Sequence, residues 1–404
     1  MKRRLLFNGD AVATTGFARA THKLLDVLRH SWDVHCLGIN HWGDPNHGYP
    51  YPIYPANPGG FGDAWGLWRI EDLLKSLRPD VLVLQNDPWN VAEYVKRWAK
   101  TIPIVAWMPV DGKNCQGNKL NGLALAVFYT HFALEEARKG GYRGPACVIG
   151  LGVDRSIYLP LDQRVSRSRV LPSDKVPVDA FIVGNVNRNQ PRKRLDLSVA
   201  YFAEWIRSRG IDDAYLYLHL CPTGDKGWDL RQLARYYGVA NRTIFPPPSR
   251  LGVGVSETYL AEVYNTFSVQ INTGSGEGFG LTTLEGLSCG VQQVVGDWAA
   301  LGEWAEGAIR VACTSTSATV NDINTIGGIP DRVLFQKALD YVYQMRGTDQ
   351  FEQRRQDAVA FASAPEFQWS HVGLRFAEEL DRALAEPLTA IDVPLAVPVG
   401  DMLS

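Results

Sequence analysis

Several common functional signatures are missing from this 404-residue chain. Its six cysteines form no Cys-x-x-Cys pair and its eight histidines show no metal-ligand spacing, so we predict reduced thiols and no bound metal. No Asp-x-Asp occurs, so a metal-chelating carboxylate pair of that kind is unsupported. A G-x-G-x-x-G fingerprint and a P-loop are also absent. These absences argue against a dehydrogenase or a kinase.

Long hydrophobic runs and an excess of one charge are missing as well. No run approaches the roughly eighteen apolar residues that a membrane-spanning helix needs, and the apolar part of residues 1–10 is too short for a signal peptide. We therefore expect a cytoplasmic protein without integral membrane association. The formal net charge of −2 gives no overall attraction to nucleic acid or anionic membranes, although it excludes neither.

Strand-like apolar runs alternate with helical segments along the whole chain. Examples are Leu5–Asn8, Val81–Gln85 and Pro103–Met108 in the first half, and Ala180–Gly184 and Val269–Asn272 in the second. Repeated alternation of this kind predicts an α/β protein with mostly parallel sheets and helices on both faces. We expect two doubly wound, Rossmann-like domains.

The domain boundaries are predicted from a break in this alternation. A segment with three prolines and several arginines interrupts the pattern near the middle of the chain. We predict a first domain over residues 1–160, a linker over 161–177, a second domain over 178–365, a helix over 366–387 and a loose tail over 388–404.

The most informative stretch is residues 272–285, Asn-Thr-Gly-Ser-Gly-Glu-Gly-Phe-Gly-Leu-Thr-Thr-Leu-Glu. It follows a predicted strand and opens a predicted helix. Glycines let a backbone approach a ligand closely, and the first N–H groups and the dipole of a helix favour negative charge. Glu277 and Glu285, eight positions apart, add acceptors for hydroxyl groups on either side of the turn. This arrangement suits a nucleotide-sugar, although residues 282–285 also match a capping box in which Glu285 only caps a helix.

A basic cluster in residues 183–194 is the second strong pattern. Arg188 follows a predicted strand, and Lys193 stands five positions later at the start of the next helix. A departing nucleoside diphosphate gathers negative charge on its β-phosphate, which a fixed guanidinium and ammonium would stabilise. The alternative is a solvated basic cluster or a nucleic-acid patch.

The spacing of the two glutamates resembles the Glu-x7-Glu signature of retaining glycosyltransferases of family four. Members of that family have the GT-B architecture, in which two Rossmann-like domains face each other across a cleft and a C-terminal helix returns to the first domain. The resemblance implies a nucleotide-sugar donor as co-substrate, with no metal or other cofactor. The residues that it assigns to the donor in the second domain are Arg188, Lys193, Pro248, Glu277, Gly278, Phe279, Gly280, Leu281, Thr282 and Glu285.

In the first domain, the resemblance places the loop after the first strand beside the donor phosphates. The family usually has a Gly-Gly pair there, and this chain offers one glycine, Gly16. Asp10, Thr15 and Gly16 are candidate contacts, and a simple helix cap at Thr14 or Thr15 is the alternative.

Candidate acceptor-side residues also lie in first-domain loops. Many family members place a histidine where this chain has Asp111, so we predict a catalytic role for Asp111 with Arg188, Lys193 and Glu277; an ordinary Asp-Gly turn is the alternative. Asp10 and Asp111, with the loop tryptophans Trp42 and Trp89, are predicted to face the acceptor, since aromatic faces stack on sugars.

The sequence therefore predicts a retaining hexosyltransferase that moves a sugar from a UDP- or GDP-sugar to a hydroxyl acceptor, a glycan or a lipid-linked sugar. One alternative is a phage-type enzyme acting on hydroxymethylated pyrimidine in DNA, which the basic and aromatic residues 94–100 would suit unless they form a solvated helix face. A second alternative is a sugar-nucleotide-binding protein without catalytic activity.

Overall fold

The computed structural model describes residues 2–13, 15–43, 48–58, 60, 62–247, 254–320 and 323–385. The first half of the chain forms one seven-stranded parallel sheet, in the order β3-β2-β1-β4-β5-β6-β7. Its strands are β1 (Arg4–Asp10), β2 (Asp33–Ile39), β3 (Ile53–Pro55), β4 (Val81–Gln85), β5 (Ile104–Met108), β6 (Leu125–Phe128) and β7 (Ala146–Val148). Its helices are α1 (Gly16–Leu28), α2 (Arg69–Leu77), α3 (Pro88–Trp98) and α4 (His131–Lys139).

The second half forms another seven-stranded sheet, in the order β10-β9-β8-β11-β12-β13-β14. Its strands are β8 (Phe181–Val186), β9 (Ala214–His219), β10 (Thr243–Ile244), β11 (Val269–Asn272), β12 (Gln292–Asp297), β13 (Ile309–Ala318) and β14 (Ile326–Pro330). The helices of this half are α5 (Gln163–Val170), α6 (Leu195–Arg209), α7 (Leu230–Tyr236), α8 (Glu257–Asn265), α9 (Leu281–Ser288), α10 (Ala299–Trp304), α11 (Arg332–Met345), α12 (Asp349–Ala362) and α13 (Trp369–Ala385). The edge strand β14 runs antiparallel to β13, so this sheet is not wholly parallel.

Both faces of each sheet are buried, as the alternation of strands and helices predicted. On β1, Leu5 and Phe7 belong to one hydrophobic core and Leu6 to another. On β8, Phe181 and Ile182 are divided between two cores in the same way. Successive side chains of a strand point to opposite faces, so each sheet has a core on either side. The two doubly wound domains of the predicted fold are confirmed.

The C-terminal helix α13 returns to the first domain. Phe376 packs edge-on against Trp107 of β5, with ring centroids 5.6 Å apart, and Gly373 approaches Val27 of α1. Asp381 forms an ion pair with Arg3. The helix therefore ties the end of the second half to the first sheet, as the resemblance implied.

The segment predicted as a linker, 161–177, contains a helix of its own. Asp162 caps α5 by accepting a hydrogen bond from the Val165 N–H at 2.9 Å. The buried Arg167 donates to the carbonyl oxygens of Thr266 and Val178. These contacts attach α5 to the second domain. The predicted tail, 388–404, lies outside the described residues.

Within the described ranges, no helix is both long enough and apolar enough to cross a membrane. All six cysteines are free thiols.

Candidate active site

The two sheets place their topological switch points on the same cleft. The order of strands reverses between β1 and β4 in the first sheet and between β8 and β11 in the second. Ligands of doubly wound sheets bind outside the carboxyl ends of the strands at such points. A cavity of about 880 Å³ opens there, lined by residues that follow all four strands. The candidate site therefore lies between the domains.

Most of the residues predicted from the sequence line this cavity. They are Asp10, Thr15, Gly16, Trp89, Asp111, Arg188, Lys193, Glu277, Gly278, Phe279, Gly280, Leu281 and Thr282. Two others do not line it: Trp42 is 55% exposed, and Glu285 is buried behind the lining residues. Pro248 lies outside the described residues.

The Gly-rich turn connects β11 to α9 and contacts the first domain. Gly280, with φ of +91°, is the N-cap of α9, in a conformation that favours glycine. A Cβ on Gly276 would overlap the carbonyl oxygen of Asp111, and one on Gly278 would overlap Pro109. Two glycines of the turn are thus required by the contact between the domains. The start of α9, where helical N–H groups lack intrahelical partners, lines the cavity.

Glu277 sits at the centre of a buried ionic network. Its two carboxylate oxygens each lie 2.6 Å from Nζ of Lys193, and Oε1 accepts a further hydrogen bond from Asn272 at 3.0 Å. Burial raises the pKa of Glu277, but Lys193 and Arg192 outweigh it and hold the pKa below its ordinary value. Burial, together with Arg192, lowers the pKa of Lys193. Glu277 is therefore an ionised acceptor held by cations.

Arg192 is a site residue that the sequence reasoning missed. Its Nη1 lies 3.3 Å from Oδ2 of Asp111 and 3.5 Å from Oε2 of Glu277, so it links the two domains. Burial lowers its pKa, and Asp111 and Glu277 more than reverse this effect. The signal in the sequence was its place in the basic run between Arg188 and Lys193, but spacing alone did not distinguish Arg192 from a surface residue.

Arg188 lies at a more open part of the cavity than Lys193. Its Nε and Nη2 donate to the two carboxylate oxygens of Asp225, both at 2.8 Å, and its side chain is 60% exposed. An exposed ion pair of this kind contributes little to stability. The guanidinium can therefore exchange Asp225 for an anionic ligand at small cost.

Glu285 is held by two partners, one from each domain. Oε1 accepts a hydrogen bond from Nη2 of Arg19 at 2.7 Å, and Oε2 accepts one from the Tyr264 hydroxyl at 2.6 Å. Burial raises the pKa of Glu285, although Arg19 and Tyr264 oppose the shift. The helix begins at Leu281 with Gly280 as N-cap, so the capping-box alternative for Glu285 is wrong. Glu285 instead connects α9 to α1 through Arg19, which lines the cavity.

The loop after β1 combines a helix cap with a cavity-facing carboxylate. Thr15 caps α1 by accepting from the Ala18 N–H at 3.1 Å, so the cap alternative for Thr15 is confirmed. The Thr15 hydroxyl donates to Oδ2 of Asp10 at 2.6 Å. Burial raises the pKa of Asp10, despite the hydrogen bond from Thr15.

Asp87, which follows β4, is a second residue that the sequence reasoning missed. Burial and the neighbouring charge of Asp111 raise its pKa to about 7, and Arg192 opposes the shift. It is the N-cap residue of α3, but its side chain makes no capping hydrogen bond. Asp87 lines the cavity, and its carboxyl group is not used to cap the helix.

Residues 94–100, the basic and aromatic stretch, cover the end of α3. Tyr94 is buried, whereas Lys96 and Arg97 are exposed, and the Arg97 guanidinium lies 4.5 Å from the centroid of the Trp68 ring. This arrangement is that of a solvated helix face.

Among the described residues, no three His, Cys, Asp or Glu side chains come together in a group that could hold a metal.

We expect Asp87→Asn to stabilise the protein more at about pH 8 than at about pH 5. The folded-state pKa of about 7 lies above the ordinary 3.8, so the stabilisation from protonated Asp87 is complete below pH 3.8 and is lost as pH rises through 7. Above that pH the charge of Asp111 repels the ionised carboxylate of Asp87, whereas the neutral amide of an asparagine is not repelled. The expected gain is about 1–3 kcal/mol in the free energy of unfolding at the higher pH.

Denaturant unfolding at the two pH values measures this difference. The control is Asp72→Asn on α2, because the Asp72 side chain is 68% exposed. Its effect on the free energy of unfolding should be the same at both pH values. An Asp87→Asn effect that does not change with pH would mean that Asp87 is ionised at both.

Comparison with solved structures finds the same two-domain architecture along nearly the whole chain. Sucrose-phosphate synthase from Thermosynechococcus elongatus matches with a TM-score of 0.76 at 15% identity, over 95% of this chain and 100% of that one. HepE from Anabaena, in complex with UDP-glucose, matches with a TM-score of 0.69 at 16% identity, over 94% and 99%. α,α-Trehalose 6-phosphate synthase from Burkholderia multivorans matches with a TM-score of 0.69 at 14% identity, over 95% and 99%.

At these identities the likeness establishes the shared fold, the GT-B architecture. No protein-family model and no curated protein sequence matches this chain.

Proposed function

We propose that this protein is a retaining glycosyltransferase of the family-four type, which moves a sugar from a UDP- or GDP-sugar to a hydroxyl group of a glycan or a lipid-linked sugar. The observation that carries the proposal is the composition of the cavity. Cations and a helix start come from the switch point of the second sheet, and carboxylates and amides come from that of the first. A neighbour of the same fold that binds UDP-glucose supports a donor of this class.

The donor's phosphates fit the second-domain side of the cavity. The first turn of α9 offers N–H groups and the positive end of the helix dipole. Arg188 and Lys193 stand on the same side, and Arg188 is free to exchange its exposed partner Asp225. A diphosphate therefore finds backbone donors and side-chain cations without leaving the second domain.

The chemistry needs no nucleophile from the protein. The bond between the sugar's C1 and the β-phosphate oxygen breaks, and the acceptor oxygen attacks C1 from the same face. The departing phosphate oxygen takes the acceptor's proton, so nucleoside diphosphate and the new glycoside are the products. Arg188, Lys193 and Arg192 stabilise the charge that develops on the phosphate. Glu277 orients Lys193 and offers an acceptor to the donor sugar's hydroxyls.

The proposal is tested by measuring nucleoside diphosphate binding and release. Calorimetry with UDP, GDP and ADP should find one base preferred, and slow hydrolysis of the matching nucleotide-glucose should release the diphosphate. A protein that binds the nucleotide-sugar without ever releasing diphosphate would be a binding protein and not an enzyme. No binding of any nucleotide would refute the proposal.

Arg188→Ala should lower turnover by about a hundred-fold, the scale observed when one stabiliser of developing charge is removed. Its loss should leave the free energy of unfolding almost unchanged, because its pair with Asp225 is exposed. The matched control is Arg209→Ala, which breaks an exposed pair with Asp340 in the same domain and does not touch the cavity. If Arg188→Ala and Arg209→Ala have the same turnover, Arg188 is only a surface residue.

A further inference from the structure

The charges of the cavity are divided between the domains. Among the described lining residues, the second domain supplies four cations: Arg188, Arg192, Lys193 and Lys226. The first domain supplies one, Arg19, which is already paired with Glu285 at 2.7 Å. The second domain also supplies two carboxylates, Asp225 and Glu277, but its cations outnumber them, so an anionic group of a ligand is drawn to the second-domain side.

The first-domain side carries a row of carboxylates, which we term the acidic wall: Asp10, Asp87 and Asp111. Asp10 is the last residue of β1, Asp87 and Asp111 follow the neighbouring strands β4 and β5, and all three line the cavity. Adjacent strands lie about 4.8 Å apart, so the three residues are arranged in a row along one edge of the sheet. Two cations of the second domain act on this wall: Arg192 is shared between Asp111 and Glu277, and the charge of Arg188 acts on Asp10.

Three buried polar atoms of first-domain lining residues lack a partner among the described residues: Nε of Arg19, Oδ1 of Asp10 and Nδ2 of Asn86. Asp10 is 7% exposed, and Thr15 holds its Oδ2, but its Oδ1 has no hydrogen bond among the described residues. Asn86 is 3% exposed and lines the cavity. Its Oδ1 accepts from the Asp87 N–H and from Asn90, both at 2.9 Å, which orients the amide, whereas Nδ2 donates to no described residue.

Buried polar groups are nearly always hydrogen-bonded, and because Asp10 and Asn86 line the cavity, a ligand bound there could supply the bonds that Oδ1 of Asp10 and Nδ2 of Asn86 lack. One is an acceptor and the other a donor, and a hydroxyl group satisfies either. Trp65 and Trp89, which are 38% and 39% exposed, add aromatic faces to the lining. Hydroxyl partners beside aromatic faces are suited to a sugar ring.

We infer that the acidic wall selects an uncharged, hydroxyl-rich acceptor and rejects phosphorylated sugars. The inference rests on the proposed function and specifies the acceptor for that same site. At about pH 8, above the pKa of about 7 of Asp87, a phosphate on the acceptor would face three carboxylates and lose water without gaining a cation of the first domain. A neutral sugar instead offers hydroxyl groups to the unpaired atoms of Asp10 and Asn86.

The test compares matched neutral and phosphorylated acceptors at saturating donor and at about pH 8, where Asp87 is ionised. The probes are glucose with glucose 6-phosphate, fructose with fructose 6-phosphate, and neutral oligosaccharides, each up to about 10 mM, which covers millimolar affinities. The rate of nucleoside diphosphate release above the acceptor-free rate, with product mass, gives kcat/KM. We expect the neutral member of a pair to be favoured by at least about ten-fold, because bringing like charges together in a binding site is unfavourable.

Asp87→Asn should reduce this preference several-fold, chiefly through the KM of the phosphorylated sugar, since it removes one charge of the wall. Asp72→Asn, an exposed change on the same domain, should leave the preference as it is. If Asp87→Asn keeps the wild-type preference for neutral over phosphorylated sugars, the acidic wall does not select the acceptor.

Other outcomes separate this inference from the proposed function. A protein that neither binds nor hydrolyses any nucleotide-sugar contradicts the proposed function itself. A protein that hydrolyses the donor but prefers the phosphorylated sugars, or responds to no neutral sugar, contradicts only the inference. Faster transfer to hydroxymethylated duplex DNA would also overturn it, because the phosphates of DNA would then approach the wall.

Discussion

Lys193→Ala is expected to lower turnover by about a hundred-fold or more and also to destabilise the protein. The reason for the first effect is the loss of an ammonium beside the proposed β-phosphate. The second follows from burial, since Lys193 and Glu277 are 8% and 6% exposed and their charged groups lie 2.6 Å apart. Removing one partner of a buried pair typically costs about 3–5 kcal/mol, and we expect the lower end because Arg192 still faces Glu277.

A double variant separates the two effects. Lys193→Met with Glu277→Leu removes both charges and keeps apolar volume, and such replacements are often neutral for stability. The double variant should therefore unfold at nearly the wild-type denaturant concentration while its turnover stays low. Arg188→Ala should behave like the double variant, with low turnover and nearly unchanged stability, because its pair with Asp225 is exposed. Wild-type turnover in folded Lys193→Ala would show that the buried pair is structural only.

Glu285→Ala is expected to weaken nucleoside diphosphate binding by about ten- to a hundred-fold and to lower the free energy of unfolding by about 3–5 kcal/mol. The resemblance implies that Glu285 holds the ribose hydroxyls of the donor. Because Glu285 does not itself line the cavity, we expect the loss of binding to act through its partner Arg19, which does. The loss of stability follows from Arg19, whose largely buried guanidinium would remain between the two domains without its carboxylate partner.

Two further variants serve as controls for this prediction. Glu285→Gln keeps acceptors for Arg19 and Tyr264 and should lose less stability. Tyr264→Phe removes only the hydroxyl that donates to Oε2, at a cost of about 1 kcal/mol, and should leave binding within a few-fold. Calorimetry with the diphosphate and with the free nucleoside measures binding, and denaturant unfolding measures stability. Unchanged affinity in folded Glu285→Ala would leave Glu285 as a structural partner of Arg19.

The architecture could be predicted from the sequence because its signals are local. Runs such as Val81–Gln85 and Val269–Asn272 coincide with β4 and β11, since a strand buried on both faces needs an uninterrupted apolar run. The glycine turn before α9 was predicted for the same reason, because Gly280 adopts a left-handed conformation that favours glycine. The strand β14 was not predicted, as Gly327 and Gly328 give it little strand character.

The partners within the site could not be predicted, because they depend on contacts between distant residues. Lys193 meets Glu277 across 84 positions, and Arg19 meets Glu285 across 266. Spacing marked Arg188 and Lys193 alike, yet only Lys193 is buried against a carboxylate, and Arg192 between them reaches Asp111 of the other domain.

The sequence by itself determined two doubly wound domains and a glycine turn between a strand and a helix, because backbone conformation and the period of burial depend on neighbouring residues. The tertiary structure alone decided which charges are paired, which are buried and which face the cavity. Asp87 is an example, since its pKa rises only when folding buries it beside Asp111. Electrostatic energies depend on distance and on exclusion of water, and both are set when the two sheets bring their switch points together.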